Sequence, residues 1–142
     1  MADDLPTAPG PAAEAGDPFH AWVCRSSDVP AAAPGILAGL AIGVKDVIVT
    51  SDLPTRFGSA VPSEAFAELL ALGDAECVRR LRAGGGAIVG KTVSAELATY
   101  QPGQTLNPRA PGRTPGGSSS GSAAAVAAGD VPLALATQTA GS

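Results

Sequence analysis

Apolar positions along this chain follow two periods, and the switches between them outline the elements. Phe19-His20-Ala21-Trp22-Val23-Cys24 is an aromatic and β-branched run that predicts a strand, with His20 as a half-buried strand residue, since no catalytic partner for it is evident. Leu40-Ala41-Ile42-Gly43-Val44 predicts a second strand, followed at once by Lys45-Asp46. Phe66, Leu69 and Leu70 then fall on one face of a helix that opens with the capping residue Ser63 and ends before Gly73. Asp74 starts another helix. Cys77, Val78 and Leu81 form its apolar side, Arg79, Arg80 and Arg82 crowd its C-terminal end, and Gly84-Gly85-Gly86 stops it. Ala87-Ile88-Val89-Gly90 predicts a buried strand. Turn residues dominate from Thr99 to Gly117, including Pro102, Asn107-Pro108 and Pro111-Gly112, and predict a long loop of the kind that often carries function. A helix over Ser122–Ala128, closed by Gly129, and a strand over Val131–Ala136 complete the pattern. Helices and strands alternating at these lengths argue an α/β fold.

Composition narrows this further. The 142 residues are 45% hydrophobic and 15% charged, a globular balance carried by small side chains. Residues 1–17 stand apart as a flexible acidic tail rich in Pro and Ala, which cannot bury enough apolar surface to offset its ordering, so the folded domain is expected over 18–142. The tail holds Asp3, Asp4, Glu14 and Asp17 and no basic residue, which accounts for the formal charge of −4. A neutral body with an acidic tail offers nothing to nucleic acid. Cys24 and Cys77 are isolated and His20 is the one histidine, so no metal site and no cofactor is implied. The N-terminus lacks the basic and apolar regions of a signal peptide, and Pro, Gly or Asp130 interrupts the apolar stretches. A cytoplasmic protein with reduced thiols and no membrane span is therefore expected. Nothing in the sequence indicates an oligomeric state.

Two glycine motifs compete for chemistry. Gly85-Gly86-Ala87-Ile88-Val89-Gly90-Lys91-Thr92 fits the phosphate-loop pattern GxxxxGK[ST], and a P-loop-like nucleotide-binding module is one reading of it. Against that reading, an arginine-rich helix precedes the first glycine where a strand is required, and Ala-Ile-Val looks like the strand itself. The second motif, Thr114-Pro115-Gly116-Gly117-Ser118-Ser119-Ser120-Gly121-Ser122, is either a flexible linker, a set of helix caps, or an ordered turn at a helix N-terminus suited to an anion or acyl group. The residues alone do not choose between Lys45 and Lys91, the two lysines of the chain, as a functional base.

TPGGSSSGSAAAVAAGDVPLALATQTAGS closely resembles the signature region of the amidase signature family. AGLAIGVKDVIVTSDLPTRFGSA resembles that family's lysine segment, and CVRRLRAGGGAIVGKTVSAELA its connecting helix and strand. The resemblance spans roughly residues 18–142 in the family's order. It implies the N-terminal part of an amidase-signature α/β/α fold, a mixed sheet flanked by helices, and hydrolysis of a small-molecule amide by a Ser–Ser–Lys triad. Lys45 would match the base, Ser118 the bridging serine, and Ser142, 24 residues further on, the nucleophile. It also implies a cis Gly117–Ser118 peptide bond and an oxyanion hole from the backbone N–H groups of Thr139, Ala140, Gly141 and Ser142.

The chemistry is intelligible from these groups. Lys45 stands in sequence among Ile42, Val44, Val47 and Ile48, and burial there would disfavour its ammonium form and make it a base. Gln138, Ala140 and Ser120 depart from the family's commonest Asp, Gly and Gly. On this reading the chain stops at its nucleophile, before the rest of the sheet and most of the substrate pocket. By itself it is expected to be inactive, a non-catalytic remnant being the further alternative, because a terminal carboxylate on Ser142 would compete for the oxyanion site.

Overall fold

The structure, a computed structural model, describes residues 16–29 and 33–138. Four strands, β1 (Trp22–Arg25), β2 (Ala41–Lys45), β3 (Ala87–Thr92) and β4 (Leu133–Leu135), form one sheet in the order β1-β3-β2-β4. β1 runs antiparallel to β3, while β2 lies parallel to both β3 and β4, so the sheet is mixed. Among the described residues three short α-helices accompany it: α1 (Ala67–Leu70), which continues a 3-10 turn over Ser63–Phe66, α2 (Glu76–Ala83) and α3 (Ser120–Ala128).

The sheet separates two cores. On one face Trp22 packs with Ala21, Ala124, Ala125 and Val131, which brings α3 onto the sheet through alanines small enough to permit close approach. On the other face Ile42, Val44, Ile48 and Ile88 meet Val78 of α2. Each fully buried Val or Ile of that cluster contributes about 1.5–3 kcal/mol. The arrangement is α/β/α. Gly121 is the tightest point of the first face, since a Cβ there would stand 2.2 Å from Val93 N and 2.3 Å from Ala21 O. Only glycine lets the first turn of α3 press on the sheet backbone, where Gly121 N donates to Val93 O at 3.0 Å.

Several local expectations need correction. Asp17 is not loose tail: its carboxylate accepts the N–H groups of Ala21 at 3.0 Å and Trp22 at 2.9 Å, and the residue is buried, so order extends at least to Asp17. Residues 1–15 of the expected tail over 1–17 lie outside the described residues. His20 is half-buried but sits before β1 rather than in it, at φ 50°, where its carbonyl accepts from Thr105 Oγ1. Ser63 makes no side-chain cap, and Phe66, Leu69 and Leu70 are not buried in the described structure. Cys77 is exposed, leaving Val78 as the buried residue of α2. α3 starts two residues early, at Ser120, and the last strand is confined to Leu133–Leu135.

The GxxxxGK[ST] segment is not a phosphate loop. Gly85 turns the chain at φ 86°, and Gly90 lies under Trp22, whose ring a Cβ would meet at 2.8 Å. Lys91 is inside β3 with its amine wholly covered. The glycines serve a turn and an aromatic contact, and the lysine that would neutralise phosphate is used internally. The geometry does not favour the nucleotide-binding alternative.

Candidate active site

Lys45 is the last residue of β2 and Thr92 the last of β3, and the two are register partners on the face covered by α3. Parallel strands that end together gather the residues at their C-terminal ends, the usual position of sites in α/β sheets. The Lys45 side chain has no solvent exposure, and its Nζ lies 2.7 Å from Ser118 Oγ, 2.8 Å from Ser119 Oγ and 2.8 Å from Thr137 Oγ1. Ser118 and Ser119 are delivered by the turn entering α3, and the Gly117–Ser118 peptide bond is cis. Ser118 O accepts from Ala95 N at 2.8 Å, which ties that turn to the segment after β3.

The reading of this serine run as ordinary helix caps fails. No side chain caps α3: Ser119 Oγ accepts from Lys45 and lies 3.1 Å from Thr137 O, to which its hydroxyl donates. Ser122 Oγ lies 2.7 Å from Thr92 Oγ1 and donates to Leu135 O at 3.0 Å, so α3 is pinned to β3 and β4 through hydroxyls. The apolar sequence neighbours of Lys45 turn out to be a poor guide to its surroundings. Ile42 and Val44 alternate to the opposite face, where they pack with Val78, and the amine tip is surrounded by hydroxyls instead. Burial still pushes the Lys45 ammonium below its ordinary value, and none of these three partners is a carboxylate that would restore it.

Ser119 and Thr137 are site residues that sequence reasoning missed. For Ser119 the signal was adjacency to Ser118. For Thr137 it was the parallel pairing of β2 with β4, which brings the residues just past Leu135 beside the end of β2. The sequence-predicted Ser142 and the oxyanion residues Thr139, Ala140, Gly141 and Ser142 lie outside the described residues. Among the described residues no group of three or more His, Cys, Asp or Glu could hold a metal ion, and no helix is long and apolar enough to cross a membrane.

The model of the Amidase family matches residues 23–142. The chain belongs to the amidase family. Over 114 residues it is 48% identical to a glutamyl-tRNA(Gln) amidotransferase subunit of Natronomonas pharaonis, covering 76% of this chain and 26% of that protein. The corresponding subunit of Symbiobacterium thermophilum is 47% identical, with 76% and 22% covered. This amidase chain thus spans about a quarter of the length of the curated relatives it matches. Among solved structures, the same amidotransferase subunit from Thermotoga maritima superposes with a TM-score of 0.68 at 32% identity, covering 82% of this chain and 26% of that one. The native peptide amidase of Stenotrophomonas maltophilia gives 0.59 at 35% identity, with 70% and 22% covered.

Proposed function

We propose that the protein carrying this chain hydrolyses carboxylic amides through a serine acyl-enzyme, with Lys45 as base, Ser118 as relay and Ser142 as nucleophile. The observation that carries the reading is the 2.7 Å contact between the Lys45 amine and the Ser118 hydroxyl inside a cage of neutral groups. An ammonium can donate to all three surrounding hydroxyls. A neutral amine has two N–H groups and one lone pair, so one hydroxyl must reverse and donate to it. The Ser119 hydrogen is committed to Thr137 O, whereas among the described residues Ser118 Oγ meets only the lysine. The Ser118 hydroxyl is thus free to turn its hydrogen towards Lys45, which suits it to the relay that the family resemblance assigns it.

The steps balance as follows. Neutral Lys45 takes the proton of Ser118 as Ser118 takes that of Ser142, and Ser142 Oγ bonds to the amide carbonyl carbon. The backbone N–H groups of Thr139, Ala140, Gly141 and Ser142 receive the oxyanion. The C–N bond then breaks, and the amine leaves with a proton returned from Lys45 through Ser118. Water then adds to the ester carbonyl as its proton passes through Ser118 to Lys45; the bond from the acyl carbon to Ser142 Oγ breaks, the acid leaves, and the proton returns through Ser118 to Ser142 Oγ. No cofactor or metal enters this scheme.

The relatives' names range from an amidotransferase component to peptide amidase and 6-aminohexanoate cyclic dimer hydrolase, so amide chemistry carries over and a particular substrate does not. The test is serine labelling in the full-length protein. A fluorophosphonate should modify the wild type at Ser142 and leave Ser142→Ala unmodified, with turnover of an aryl amide abolished; labelling at another serine would sink the assignment.

A further inference from the structure

Asp46 follows Lys45 directly, and its hydrogen bonds run towards the other end of the Lys45–Ser118 contact. Its backbone N–H donates to Thr92 O at 2.9 Å and its carbonyl accepts from Phe57 N at 3.1 Å. Its carboxylate accepts Arg56 N at 3.1 Å and Gly58 N at 3.0 Å, closing the 56–58 turn around itself. That turn lies backbone against backbone on the segment after β3, since a Cβ on Gly58 would stand 2.5 Å from Ser94 O, and Phe57 O accepts Leu97 N at 2.8 Å. The same segment holds Ser118 through Ala95 N. Behind the carboxylate, 3.9 Å away, stands the Lys91 amine, itself fastened to Ile48 O at 2.7 Å and to Thr55 Oγ1. Asp46, Lys91 and Thr55 are all buried.

We propose that Asp46, backed by Lys91, is a positioning residue that fixes the separation of the Lys45 amine from the Ser118 hydroxyl. One route runs through the chain from Asp46 to Lys45. The other runs from the carboxylate through the 56–58 turn and residues 94–97 to the Ser118 carbonyl. A proton relay works only within hydrogen-bond reach, and a misplacement of about 1 Å costs on the order of a hundredfold in rate. The proposal rests on the reading of Lys45 as the base given above.

The test is a double-mutant cycle in the full-length protein, read as the rate of fluorophosphonate labelling per folded molecule together with kcat and KM for an aryl amide. Asp46→Asn keeps the shape but withdraws one charged acceptor. It should lower kcat and the labelling rate by about ten- to a hundredfold with KM little changed. In a Lys45→Ala background the same substitution should have no further effect on residual labelling, because the group it positions is gone. An equal loss in both backgrounds would show a general structural role and overturn the proposal. If Lys45→Ala alone keeps normal turnover, the base assignment itself fails, and the proposal with it, so the two failures are told apart by the single variant. Should Asp46→Asn not fold, Thr55→Val removes only the hydroxyl beneath Lys91. A loss of a few-fold confined to the Lys45 background is then expected, and equal loss in both backgrounds, or none in either, overturns the idea.

Discussion

Lys45 and Lys91 sit one residue out of step on neighbouring parallel strands, Lys45 opposite Thr92 and Lys91 opposite Val44, and that step sends them to opposite faces of the sheet. Neither has any solvent exposure. On the α3 face, Lys45 meets three hydroxyls and no carboxylate among them, so burial lowers its proton affinity with no charged partner among the described residues to oppose it. On the α2 face, burial brings Lys91 down to about 8, while the Asp46 carboxylate pulls the other way, and a carbonyl and a hydroxyl fasten its amine. Burial alone does not make a base. What separates the two is their partners: the Lys45 amine meets three hydroxyls, that of Ser118 among them, whereas the Lys91 amine is held by a backbone carbonyl and one hydroxyl with a carboxylate behind it. The outward signature, a buried lysine near glycines, is common to both.

The largest expected effects come from removing each lysine in turn in the full-length protein. Lys45→Ala should leave the fold intact and lower kcat by about a thousandfold or more, as for loss of a positioned base. Lys91→Met should act first on stability, by about 3–5 kcal/mol, because it strands a buried carboxylate. Denaturant midpoints and kcat measured on both variants check this. Equal behaviour of the two in either measurement would break the contrast.

A smaller effect follows from pH, with a double variant, Asp46→Asn with Lys91→Met, as reference. The native Lys91 loses its proton near 8, whereas in the unfolded chain a lysine holds it to about 10.4. Across that window the unfolded state binds more protons, so stability rises with pH in the wild type relative to the double variant, by no more than about 3 kcal/mol. Asp46 has the opposite sign: burial raises it against the pull of Gly58 N, Arg56 N and Lys91, so its contribution falls as pH climbs from the usual carboxylate value through the raised one. Melting temperatures of the two proteins from pH 7.5 to 10.5 should diverge in favour of the wild type. Parallel curves would mean that Lys91 titrates normally.

How much of this was legible in the sequence depends on whether a feature is local. The strand at Ala41–Lys45, the α2 stop at Gly84-Gly85-Gly86 and the left-handed cap at Gly129 are written in periodicity and turn chemistry, and each falls within a residue or so of its expected place. Resemblance, not periodicity, picked Lys45 over Lys91, since the face a strand residue occupies depends on what covers the sheet. The amine's true surroundings were illegible because hydrogen-bond partners 73, 74 and 92 residues away are set by topology. Asp17 was misread for the same reason. Its acid was counted with the tail, while its carboxylate caps the N–H groups leading into β1.

The smallest expected effect is the sharpest probe of the two environments. Ser119 Oγ accepts from Lys45 and donates to Thr137 O, so it steadies the amine and, in the proposed mechanism, stands outside the proton path. Replacing it by alanine removes an acceptor that favours the charged lysine. The ammonium is then harder to keep, Lys45 loses its proton more readily, and the acid limb of the kcat/KM profile should move to lower pH. A differential loss of about 1.4 kcal/mol, in line with one hydrogen bond to a charged group, corresponds to about one pH unit. Above the limb, turnover should fall by only about tenfold, since Lys45 keeps Ser118 and Thr137 as partners. Thr55→Val, the matching change beside Lys91, should leave the position of the limb where it is, because that amine is not the group whose ionisation the profile reports. Measuring kcat/KM from pH 5 to 10 on both variants decides the matter. A limb that stays put in Ser119→Ala, or one that shifts in Thr55→Val, would mean that the profile reads a group other than Lys45.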